Sequence, residues 1–112
     1  MSERRRPRTS FGARERAWRS RLTQIVSGHP FLRGCLQERY RLCGKPTCRC
    51  TRGQKHRALY LVLAEGKRLR QLYVPPAWEA RVRQWVAHHR TLRELIQEVS
   101  ALYWKKVQQR ED

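Results

Sequence analysis

The feature that most constrains this chain is the run from Ala77 to Asp112, which contains neither glycine nor proline. Within it Trp78, Val82, Trp85, His89, Leu92, Ile96, Val99 and Tyr103 follow one another in alternating steps of four and three residues. That is a heptad seam, and at ~1.5 Å per residue it specifies a helix roughly 45 to 50 Å long. A chain of 112 residues amounts to one small domain, which buries only about two thirds of the surface its unfolded form exposes. It cannot cover such a helix on every side, so the helix needs a partner helix. Two readings stand together: a core stripe, broken near Thr91 into two helices, or a coiled coil over 78–103 that makes a homodimer or docks a partner protein.

The remaining segments complete an α+β pattern. Phe11, Trp18, Leu22, Ile25 and Val26 recur at helical spacing, and Gly28 with Pro30 supplies a stop, so a helix is expected over 10–28. Ahead of it, residues 1–9 hold Arg4, Arg5, Arg6 and Arg8 with Pro7, the composition of a disordered basic arm. Over 33–42, Leu36, Tyr40 and Leu42 alternate with polar residues as in a short strand, although a helix through Phe31, Cys35 and Tyr40 also fits. Ala58–Ala64 and Leu69–Val74 flank a Glu65, Gly66, Lys67 turn, which predicts a β-hairpin. Pro75 and Pro76 end that hairpin and open the long helix, expected over 76–109. The expectation is a single small domain over 10–112, with residues 33–74 supplying a loop and a short antiparallel sheet.

Composition narrows the partners. Lys and Arg number 26 against 9 Asp and Glu, a formal net charge of +17. Such self-repulsion is most easily sustained beside an anionic partner. Residues 1–57 carry 16 of the cations and only Glu3, Glu15 and Glu38. Twenty-one of the cations are Arg, whose planar fork pairs bidentately with phosphate and stacks on bases. Nucleic acid is therefore the first candidate partner. A two- or three-stranded ribbon suits the DNA major groove, which favours DNA over RNA, with an RNA-binding ribonucleoprotein component as the competitor. No segment has the length or apolarity of a membrane span, and the basic amino terminus lacks the apolar core of a secretory signal. A cytoplasmic protein is expected, with an Arg-rich organellar transit leader as the alternative.

Three of the four cysteines fall in one short segment: Cys43, Cys48 and Cys50, followed by His56. The spacing C-x4-C-x-C-x5-H brings three thiolates and an imidazole close enough for tetrahedral zinc. Gly44 permits a tight turn after the first thiol, and Lys45, Arg49 and Arg52 favour thiolate formation and offset its charge. Cys35 competes with His56 as fourth ligand, and His29 is a more distant alternative. A closed four-ligand site would be structural, a zinc staple for a small core. Arg39, Arg41, Lys45, Arg49, Arg52, Lys55, Arg57, Lys67, Arg68 and Arg70 would then form one nucleic-acid-binding surface on the loop and hairpin.

An enzyme is not expected. The only Asp is Asp112, and Glu38, Glu65, Glu79, Glu94 and Glu98 are scattered among basic residues, so neither a catalytic triad nor a paired-metal carboxylate cluster can be assembled. Tyr40, Tyr60, Tyr73 and Tyr103 read as packing residues.

Residues 33–76 resemble an uncharacterised family of small prokaryotic proteins. The likeness is carried by Arg33, Gly34, Arg39, Tyr40, Cys43, Gly44, Lys45, Pro46, Cys48, Cys50 and His56, then Tyr60, Tyr73, Val74 and Pro75. With the long helix it covers about 80 residues. Ala58 and Leu59 depart from the family's usual aromatic entry to the hairpin. The resemblance supports His56 as a ligand and implies a domain of unknown function connected with mobile elements. Its implied role is accessory to DNA transactions. The hairpin is also similar to the arm-type DNA-binding sheets of tyrosine integrases.

Overall fold

The computed structural model describes residues 11–41 and 56–110. Its elements are α1 (Ala13–Gly28), β1 (Cys35–Arg41), β2 (His56–Glu65), β3 (Arg68–Val74), a 3-10 turn (Pro76–Trp78) and α2 (Glu79–Gln109). The strands form one antiparallel sheet in the order β1-β2-β3. An N-terminal helix, an antiparallel sheet and a long C-terminal helix are thus all present. In the segment after Pro30 the described strand is Cys35–Arg41, so the strand reading applies there rather than the helical one, and α2 runs unbroken through Thr91 for 31 residues.

The hairpin turns on two residues. Glu65 pairs with Arg68, and Gly66 adopts φ 59°. A positive φ at the first loop position and an ordinary one at Lys67 is the pattern of a type II′ turn, whose twist matches that of paired strands. Register then follows by counting away from the turn: Leu63 opposite Arg70, Leu61 opposite Leu72, Tyr60 opposite Tyr73, Leu59 opposite Val74.

The chain divides into two compact units. In Leu32–Ala87, the sheet face bearing Leu36, Leu59, Leu61 and Val74 packs on the first turns of α2. Leu59, Val74, Val82 and Val86 are buried at the centre of that contact, and Leu32, Leu36, Leu61 and Trp85 pack around them. The Leu32 amide also donates to the Trp85 carbonyl at 3.0 Å. Gly34 makes a close approach possible here. Its φ is 151°, and a Cβ would lie 2.8 Å from Leu61 Cδ1 and 3.2 Å from the Val62 carbonyl oxygen.

The other unit combines residues up to Phe31 with those from His88 onward. Ile25 of α1 and Leu92 of α2 are buried in it. Glu15, only 3% exposed, is its buried charge. Arg19 Nε donates to Glu15 Oε2 at 2.7 Å, and the Tyr103 hydroxyl donates to the same oxygen at 3.0 Å. A buried carboxylate is tolerable only when paired and hydrogen-bonded in this way. The Glu15 bond in turn holds the Arg19 guanidinium above its ordinary pKa. The His29 and His88 rings lie 4.6 Å apart, and His88 Nδ1 is 3.0 Å from the Pro30 carbonyl oxygen. Within this unit α1 meets the part of α2 beyond His88, through the Glu15–Tyr103 bond.

The zinc-stapled description of the fold is corrected. Among the described residues no group of three or more His, Cys, Asp or Glu could hold a metal ion. What binds sheet to helix among these residues is apolar packing around Leu59 and Val82. Also among them, no helix is long and apolar enough to cross a membrane.

Candidate functional site

Strand alternation assigns the sheet's two faces different chemistry, because successive side chains point to opposite sides. On the helix-packed side, near the open end of β1, Glu38 forms a charged hub. The Tyr40 hydroxyl donates to Glu38 Oε1 at 2.6 Å, while Arg57 Nη2 and Arg83 Nη2 donate to Oε2 at 2.9 and 3.0 Å. Arg57 Nη1 also reaches Glu79 Oε2 at 2.9 Å. The hub joins β1, β2 and α2. Hydrogen bonds from Arg57 and then Tyr40 hold the Glu38 carboxyl down to about 2. The same pair of carboxylates raises Arg57, and the bond to Glu38 raises Tyr40.

The opposite face is aromatic and cationic. Gln37, Tyr60 and Tyr73 are register partners and form one row across the three strands. The Tyr60 and Tyr73 rings meet edge to face with centroids 5.9 Å apart. The Arg39 guanidinium lies over the Tyr60 ring, 4.4 Å from its centroid, and donates to Gln37 Oε1 at 3.0 Å. Tyr73 is 50% exposed. Gln37, Arg39 and Gln71 are exposed beside it, as is the free thiol of Cys35. A flat ring flanked by a planar cation and amides can stack a base and hydrogen-bond its edge.

The residues expected to bind zinc or nucleic acid are distributed as follows. Cys43, Cys48, Cys50, Lys45, Arg49, Arg52 and Lys55 lie outside the described residues. His56 opens β2, paired with Arg41. Cys35 stands at the other end of β1, opposite Val62. Six residue steps, ~20 Å of strand, separate Cys35 from Arg41, so the two alternatives for a fourth ligand, Cys35 and His56, stand at opposite ends of β1. His29 packs on His88 instead. The zinc cofactor expected from the sequence is contradicted: among the described residues no group of three or more His, Cys, Asp or Glu could hold a metal ion. With it goes the zinc-stabilised DNA-binding accessory of a mobile element, whose platform was to be frozen by that ion. Among the described cations, Arg39 lies on the aromatic face and Arg57, Arg68 and Arg70 occupy positions of the other, while Arg41 ends β1, paired with His56. Lys67 is in the turn, and Arg70 contacts Glu65 at 3.4 Å.

Sequence reasoning missed the pairing of Tyr60 with Tyr73, having treated both as packing. The signal was available: the two residues are equidistant from the Gly66–Lys67 turn. The Glu38 hub was not legible in this way, since Arg83 is 45 residues distant and lies on another element.

A family model described as "Domain of unknown function (DUF6788)" matches residues 14–84. The chain belongs to that family. The DUF6788 region includes α1, the whole sheet and the first turns of α2, and so contains both the Glu38 hub and the Tyr60–Tyr73 row. No curated protein and no solved structure is significantly similar to the chain.

Proposed function

We propose that the chain is a metal-independent binding protein, not an enzyme, whose partner is single-stranded nucleic acid taken on the aromatic face of the sheet. The observation that carries this reading is the row in which Arg39 covers Tyr60 and Tyr60 meets a half-exposed Tyr73. Every base has a π-face, so such a row accepts bases with little sequence preference, each stacked base contributing ~1 to 3 kcal/mol. A net charge of +17 supplies the attraction to phosphate that brings a strand to the face. Stacking needs unpaired bases, which selects single strands over duplex. The protein would work in the cytoplasm, where the exposed Cys35 thiol stays reduced.

The test is a salt series with labelled single-stranded DNA, single-stranded RNA and duplex DNA of equal length, read by fluorescence anisotropy. Binding to both single strands should exceed binding to duplex and persist at salt concentrations that release the duplex, because stacking is not screened. Equal affinities that fall together with salt would reduce the interaction to charge alone and overturn the proposal.

A further inference from the structure

We infer that the C-terminal half of α2 is a docking surface for an acidic amphipathic helix of a partner protein. Ile96, Ser100, Tyr103, Trp104 and Val107 recur at the spacing of one helix face. Ile96 is 57% exposed, Trp104 69% and Val107 73%. Ile96 and Tyr103 share the Leu92 side of the helix, and the Tyr103 hydroxyl reaches Glu15 of α1, whereas Trp104 lies a third of a turn further round. Ser100, Tyr103, Trp104 and Val107 line an open hollow of 360 Å³, room for a large apolar anchor. An indole and a valine exposed to this degree on consecutive turns form the apolar stripe that a helix-in-groove interface uses.

Charge identifies the occupant. The helical period places Arg93 at the end of the stripe, one turn before Ile96, and Arg90 one turn before Glu94; both arginines are exposed. Of the nearby carboxylates, Glu98 falls on the opposite side of α2. Among the described residues no ion pair involves Arg90 or Arg93. A second copy would set these arginines against their own kind and bring together two chains of +17, a costly juxtaposition. A helix with apolar residues at heptad spacing and glutamates beside them fits both the stripe and its border. The surface shares no residue with the Tyr60–Tyr73 row, so it stands or falls separately from the nucleic-acid reading.

The probes are two labelled peptides of identical composition, one placing Leu and Phe at heptad spacing with flanking Glu, the other with the same residues reordered to remove the periodicity. The full chain should bind the patterned peptide about tenfold or more tighter. Trp104→Ala should bring it to the level of the reordered one with an unchanged circular dichroism spectrum, since Trp104 contributes little to the core. Arg93→Glu should weaken the patterned peptide further than the reordered one, and Tyr73→Ala should change neither. Equal binding of the two peptides, or no effect of Trp104→Ala, would overturn the inference. So would sedimentation showing a dimer that Trp104→Ala dissociates, because the occupant would then be a second copy.

Discussion

Arg83 and Glu38, 45 residues apart in sequence, meet at 3.0 Å, so that one guanidinium on α2 closes on a carboxylate of an edge strand already held by Arg57. This contact and the apolar layer behind it fasten the sheet to the helix. The result is one sheet face given to packing and the other left to its aromatic row.

The hub makes stability depend on acid in a defined window. Glu38 sits at about 2 when folded against 4.5 as its ordinary value. A depressed carboxyl contributes stability that is fully present above 4.5 and is lost as the pH falls toward 2. Thermal midpoints should therefore decline between pH 4.5 and 2, and Glu38→Gln should flatten that part of the profile. An unchanged slope in the variant would assign the acid sensitivity to other carboxylates.

Gly34 should resist even alanine. Its φ of 151° disfavours any L side chain, and the new Cβ would press on Leu61 and the Val62 carbonyl. Because the Leu61 contact is the tip of a flexible side chain, the cost is mainly backbone strain, ~1 to 3 kcal/mol. Denaturant unfolding of Gly34→Ala measures it, and a loss below ~0.5 kcal/mol would show that the strand entry can relax.

Much of the fold was legible in the sequence because it is written in local periodicity. The steps of four and three from Trp78 specify α2, and the alternation around Gly66 specifies the hairpin and its register. What could not be read depends on which elements meet. The Glu38–Arg83 bond and the Glu15–Tyr103 bond span 45 and 88 residues, and no local pattern encodes them. The heptad seam was also only partly informative. Val82 and Leu92 are buried as expected, but Val86, off the seam, joins them, while Ile96 remains exposed. The seam reads either as a core stripe broken near Thr91 or as a coiled coil; α2 is instead one unbroken helix that serves the sheet with its first turns and α1 with its later ones. The zinc reading rests on the spacing and setting of Cys43, Cys48, Cys50 and His56, of which the three cysteines lie outside the described residues, and among the described residues no group of three or more ligating side chains could hold an ion.

Leu59 is the core residue whose loss should cost most. It is 2% exposed and is surrounded by Val74, Val82 and Val86. Leu59→Ala should destabilise the protein by ~2 to 5 kcal/mol through lost burial and the cavity left behind. The midpoint and slope of a urea titration would show this, and a change under ~1 kcal/mol would place the core elsewhere.

The buried Glu15 should respond in a graded way. Tyr103→Phe removes one donor but leaves the Arg19 bond, for a loss of ~1 kcal/mol. Glu15→Ala removes both bonds and leaves the Tyr103 hydroxyl without its acceptor, so a larger loss is expected. If the two variants unfold at the same denaturant concentration, the Tyr103 bond carries the whole effect and the graded account fails.

The most direct test of the aromatic face is the affinity for a labelled single strand, at one fixed salt concentration, of the native chain, Tyr73→Phe and Tyr73→Ala. Tyr73 is half-exposed and the three proteins carry the same charge, so neither folding nor electrostatics separates them. Stacking predicts that Tyr73→Phe binds as the native chain does and that Tyr73→Ala loses ~1 to 3 kcal/mol. Three indistinguishable affinities would contradict it.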